Sequence, residues 1–146
     1  FLGGIVVTNN SKRALLKVFN FPDDMSVLFH IPSEKAYTIE TDVTTLRIIS
    51  QQVELAFNEA LNENYWTALT LNGLLHAAAL KLDSSPTIEA LRCGAVAAGI
   101  TGKGPATVAV AATDRTEAII NAWKKFSGQV VKTAVNQKKA KILRRE

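Results

Sequence analysis

An α+β fold built on an antiparallel sheet is what this sequence predicts, and three observations point to it. Candidate strands and helices come in blocks (strands, three helices, strand, helix, strands) rather than in strict alternation. The polar clusters between neighbouring strand runs are short enough for hairpins. Helical segments separate the strand groups in the manner of a split βαβ unit, so a ferredoxin-like antiparallel sheet packed by helices is the simplest arrangement.

Taken in order, Ile5 to Val7 and Ala14 to Phe19 are β-rich runs joined by the polar cluster Thr8-Asn9-Asn10-Ser11-Lys12, which reads as a hairpin. Ser26 to Ile31 is a third strand, stopped by Pro32. From Asp42, a plausible N-cap, Leu46, Ile49, Val53, Phe57, Ala60 and Leu61 recur at helical steps until Asn62-Glu63-Asn64 breaks the period. Tyr65 to Leu82 is apolar on most of its circumference and reads as a buried helix, weakened at Asn72-Gly73. Ser85 as N-cap with Pro86 behind it opens a third helix, whose inward stripe is Ile88, Leu91, Ala95, Val96 and Ala98.

Thr107 to Ala112, apolar on both faces, reads as a central strand. Asp114 with Glu117 resembles a capping box before a helix that buries Ile119, Ala122, Trp123 and Phe126 and ends at Gly128. Val130 to Val135 and Ala140 to Leu143 close the chain as two strands.

Composition narrows the function classes. A chain of 146 residues supports one core. Its 17 basic and 13 acidic residues, a net charge of +4, admit a phosphorylated ligand without demanding one. The lone Cys93 excludes an internal disulfide and fits a reducing, cytoplasmic setting. No apolar run approaches the roughly 18 residues of a membrane span. Cys93, His30 and His76 lack the paired spacing of a zinc site, and Cys93 lies among small apolar residues where a thiol is inert packing. The sequence starts at Phe1 and its one methionine is Met25, so residue 1 is expected not to be the translation start.

The stretch with most chemistry in it is Gly99-Ile100-Thr101-Gly102-Lys103-Gly104-Pro105-Ala106, with Gly94 just upstream. A glycine turn lets backbone N–H groups approach an anion closely, so it can cradle phosphate. By spacing alone, a helix C-cap at Gly99 followed by a tight turn explains the same residues.

With its surroundings, the stretch Ala98 to Ala106 resembles the third glycine motif of the GHMP small-molecule kinases, the superfamily of homoserine and mevalonate kinases. The string Pro86 to Gly99 is similar to the archaeal branch that phosphorylates shikimate, as are Phe1 to Gly4, Val7 to Asn10, Tyr65 to Leu69 with Asn72-Gly73, and Gly128 to Leu143. The resemblance covers essentially the whole chain.

It implies transfer of the γ-phosphoryl group of ATP to the 3-hydroxyl of shikimate with Mg²⁺. It also implies that the family's main phosphate loop, Pro-x-x-x-Gly-Leu-Gly-Ser-Ser-Ala, and its metal-holding carboxylates lie in an N-terminal half. Nothing in residues 1–146 matches that loop. The chain is therefore expected to be the C-terminal half, inactive alone, with the N-terminal half as partner and no catalytic residue of its own. Residues 1–20 would continue the N-terminal lobe, and residues 21–146 would form the C-terminal domain. Thr101, Gly102, Lys103 and Gly104 would line the cleft between the halves, with Arg92 and Arg47 as candidates for shikimate's carboxylate.

Two other classes compete. A non-catalytic ligand-binding or regulatory α+β domain would have the same outline. Lys138, Lys139, Lys141, Arg144 and Arg145 would suit a nucleic acid, but no aromatic interleaves them to stack bases, and a solvated turn and tail explain them.

Overall fold

The computed structural model describes residues 2–10, 12–33 and 43–141. Phe1, Ser11, the Asp42 cap, Ile142, Leu143 and the basic tail Arg144-Arg145 lie outside the described residues. Strands β1 (Ile5–Asn9) and β2 (Ala14–Phe19) form a two-stranded antiparallel sheet. A second sheet has the order β4-β5-β3-β6, with β3 at Met25–Ile31, β4 at Ala97–Ile100, β5 at Thr107–Ala112 and β6 at Gln129–Thr133.

Every pairing in the second sheet is antiparallel, and β5 and β3 are central. Because β3 and β5 each connect through helices to the next strand in sequence, β4 and β6, which is not their neighbour in the sheet, this is the expected ferredoxin-like split βαβ order. No described helix is long and apolar enough to cross a membrane.

Helices cover both faces. The long amphipathic run divides at Ile49 into α1 (Val43–Ile48) and α2 (Ser50–Leu61); α3 spans Tyr65–Ala79, α4 Ser85–Arg92 and α5 Thr116–Trp123. On one face Leu28, Ala98, Ala109 and Ala111 pack against Ala90 of α4 and Ile119 and Trp123 of α5. On the other, Val27, Ala97 and Val110 pack against Phe21 and against Trp66 and Leu69 of α3. The alternation of β3 and β5 between these two cores explains why both strands are apolar on both sides.

Several expectations are corrected. The third helix ends at Arg92 with Gly94 left-handed behind it at φ +93, so Ala95, Val96 and Ala98 are not a helical stripe. Ala97–Ile100 is a strand, and Gly99 lies inside it rather than capping a helix. The physical reason is contact with α3: a Cβ on Gly99 would sit 2.9 Å from the Cα of Gly73, an approach that only two facing glycines permit. Ser85 is the first residue of α4 rather than its cap, and the Asp83 carboxylate accepts its N–H at 2.8 Å.

Asp114 and Glu117 form no capping box. A 3-10 turn at Thr113–Arg115 leads into α5, and the Thr116 hydroxyl donates back to the Thr113 carbonyl at 2.9 Å. Helix α5 also stops at Trp123, short of Gly128. Ala140 and Lys141 lie outside any strand. Residues near the two chain ends meet instead: Gly4 N–H donates to Asn136 O, and the Gln137 amide exchanges hydrogen bonds with the backbone of Phe21.

Candidate functional site

The glycine bend joins the edge strand β4 to the central strand β5. Within it Thr101 N–H donates to Ala106 O at 2.8 Å and Gly104 N–H to Thr101 O at 2.9 Å. Gly102 and Gly104 take left-handed φ values of +60 and +74, which a side chain would strain. Two consequences bear on ligand binding. The N–H groups of Gly102 and Lys103 have no acceptor among the described residues. A Cβ built on Gly102 meets nothing within 4 Å, so the bend has open space on its outer side, where the Lys103 side chain is also exposed. Two unengaged amides beside an exposed ammonium can receive an anionic oxygen. On the inner side, Gly104 is pressed by the side chain of Leu82, from the α3–α4 link.

Arg92 stands at the far end of α4 from that link. Its guanidinium pairs with Glu89 at 2.9 Å, and Lys125 of α5 pairs with the other Glu89 oxygen at 2.8 Å. Lys125 first and Arg92 second hold the Glu89 carboxyl below its ordinary pKa. Arg47 is exposed in the last turn of α1 and has no ion pair among the described residues. The fold therefore assembles Thr101 to Gly104 as a unit and leaves Arg92 engaged elsewhere.

A cavity of about 520 Å³ lies on the opposite face of the sheet from α4 and α5. Ile5 and Val7 of β1, Val53 and Phe57 of α2, Trp66 of α3 and Val108 of β5 are among the residues that line it, and none belongs to the bend. Its polar groups are few: Asn72, and Tyr65, whose buried hydroxyl has no hydrogen-bond partner among the described residues. Burial pushes the Tyr65 phenol above its usual pKa, with Glu63 adding to the shift. Such a lining suits apolar side chains and would not stabilise a polyphosphate. Sequence reasoning missed this cavity because its walls come from five separate elements, β1, β3, α2, α3 and β5. The pair Tyr65-Trp66 at a helix start was the one local signal.

Among the described residues no three His, Cys, Asp or Glu side chains stand close enough to hold a metal ion. The surface cations Lys138, Lys139 and Lys141 are exposed on irregular backbone after β6.

No protein-family model matches the chain. By sequence it is 36% identical over 144 residues to the shikimate kinase of Methanothermobacter thermautotrophicus, covering 98% of this chain and 49% of that protein. It is 37% identical over 142 residues to the shikimate kinase of Methanosarcina acetivorans, with 96% and 48% covered. The chain spans about half the length of the curated relatives it matches.

Among solved structures it resembles homoserine kinase from Cytophaga hutchinsonii, with a TM-score of 0.58, 18% identity, and 92% of this chain and 49% of that one covered. It also resembles mevalonate kinase from Staphylococcus aureus, with a TM-score of 0.56, 14% identity, and coverages of 84% and 45%. At these identities the structural likeness establishes the fold.

Proposed function

Because the chain belongs to the archaeal shikimate kinase family of GHMP kinases, spanning about half the length of its relatives there, we propose that it is the C-terminal portion of such a kinase. The complete protein would transfer the γ-phosphoryl group of ATP to the 3-hydroxyl of shikimate in the cytoplasm. The bend Thr101-Gly102-Lys103-Gly104 would form one wall of the pocket. The supporting observation is the pair of unengaged amides at Gly102 and Lys103, beside open space and an exposed ammonium.

Phosphoryl transfer is accelerated mainly by positioning and by stabilising charge on the phosphate oxygens. Backbone N–H groups do both without reorganising, and Lys103 adds a point charge. Among the described residues no three His, Cys, Asp or Glu side chains come together, and the family resemblance puts the metal-holding carboxylates in the other half. On this reading the metal and the principal phosphate loop would belong to the N-terminal half, and no step here is routed through the metal. For shikimate's carboxylate, Arg47 has no ion pair among the described residues, whereas Arg92 would have to leave Glu89.

Residues 1–20 support the division of the chain. Among the described residues the sheet β1-β2 has two strands, and Leu15, Leu16 and Val18 on it are exposed although large and apolar. A two-stranded sheet with an uncovered apolar face is marginal in water and gains by extension from further strands.

The test is a bulky replacement at the open side of the bend in the full-length kinase. In Gly102→Trp the Cβ meets no neighbour within 4 Å, and the left-handed φ costs about 1–2 kcal/mol. Steady-state kinetics should show kcat/KM lowered by about tenfold or more, with folding retained. Unchanged turnover and substrate affinity would remove the bend from the pocket.

A further inference from the structure

Three buried polar atoms have no hydrogen-bond partner among the described residues, and register and packing place their residues at one corner of the α4–α5 core. They are His30 Nδ1, Thr87 Oγ1 and Thr107 Oγ1, on residues 2%, 1% and 0% exposed. His30 and Thr107 are cross-strand partners in the β3–β5 register. Each is two residues from Leu28 or Ala109 of the α4–α5 core, so both side chains point toward that face. Thr87 is three residues before Ala90 of the same core, and therefore also faces the sheet.

Depth along the layer agrees as well. Helix α4 returns through Gly94 to Val96 into β4, so the first turn of α4 is level with the end of β4, where Ile100 pairs with Thr107. Trp123 ties the corner together: its indole N–H donates to Pro86 O at 2.8 Å, and its ring centroid is 5.9 Å from that of His30. The other His30 nitrogen is already engaged with Ser127 O at 3.2 Å.

Buried polar groups are almost always partnered, and an unpartnered one costs about 1–3 kcal/mol. Three at one corner, each able to donate or accept, fit the two to four partners that an internal water molecule takes. We propose that His30, Thr87 and Thr107 form a polar pocket holding one ordered water, which ties α4 and β3 to the first residue after the bend. Thr107 and His30 are then positioning residues for the bend, whatever ligand the bend meets. The imidazole is held neutral there: burial drives the His30 pKa down, opposed by the Ser127 carbonyl and by Asp83. A neutral ring leaves Nδ1 able to accept from water.

Thr107→Val and Thr107→Ser separate the possibilities, because valine keeps the shape and serine keeps the hydroxyl. If water bonds the hydroxyl, valine strands two partners, and the midpoint of thermal unfolding should fall by about 3–6 °C, with serine recovering most of the loss. Amide exchange at Thr101 and Gly104 should quicken about tenfold in the valine variant and not in the serine variant, while α2 is unaffected. A midpoint that stays level or rises with valine would mean the hydroxyl had no partner to lose, and would overturn the proposal. So would a crystal structure in which the three atoms bond directly to one another or to no solvent.

Discussion

Replacing Trp123 by alanine is expected to cost the chain about 4 kcal/mol, which removes a large part of a typical domain's stability. Trp123 is fully buried, and it sits in the core shared by α4, α5 and the sheet. Two losses add. The cavity left by the indole is too large for neighbouring alanines at 90, 98, 109 and 111 to fill. Pro86 O also loses its donor at the start of α4. Thermal unfolding of the variant should shift down by roughly 10 °C or more. A shift of only a degree or two would mean that this helical layer does not stabilise the sheet as described.

Gly73→Val should be nearly as severe, for the opposite reason. A Cβ at Gly73 runs into the Gly99 backbone, and would stand 3.0 Å from Ile100 N and 3.1 Å from Gly99 C. All three neighbours are main chain, so no rotamer change relieves the clash and α3 must lift from β4. Overpacking of this kind costs about 3 kcal/mol. Ala98 N–H donates to the Thr70 hydroxyl at 3.2 Å across the same contact and would be strained with it. Thermal unfolding again reads the effect; a variant as stable as the parent would mean that α3 and β4 are not in backbone contact.

The same glycine pair explains what was legible in the sequence and what was not. Hydrophobic period found β2, β3, β5, α3 and the core of α5, because those elements carry branched or aromatic residues on the faces they bury. It misread Ala97–Ile100 as the tail of a helix, since Ala-Ala-Gly carries no β preference of its own. Those residues are a strand because their smallness lets α3 approach, a tertiary fact that overrides local propensity.

Residues at the bend could be read directly, since glycines with a lysine between them are a local pattern. His30, Thr87 and Thr107 could not, because they become neighbours only once β3 pairs with β5 and α4 folds back. The apolar cavity was hidden for the same reason. By sequence Arg92 is a candidate for shikimate's carboxylate; in the fold it pairs with Glu89 one turn back in α4, and α5 brings Lys125 to the other Glu89 oxygen.

On the proposed reading this chain holds one wall of a phosphoryl-transfer site and lacks the groups that hold the metal. The direct measurement is ATP-dependent phosphorylation of shikimate by three samples: the purified chain, the full-length protein, and the chain mixed with the segment that completes the length of its relatives. The expected result is no product above background from the chain alone and ready turnover by the full-length protein, with recovery on mixing if the halves reassociate. Sustained turnover by the 146-residue chain alone would contradict it.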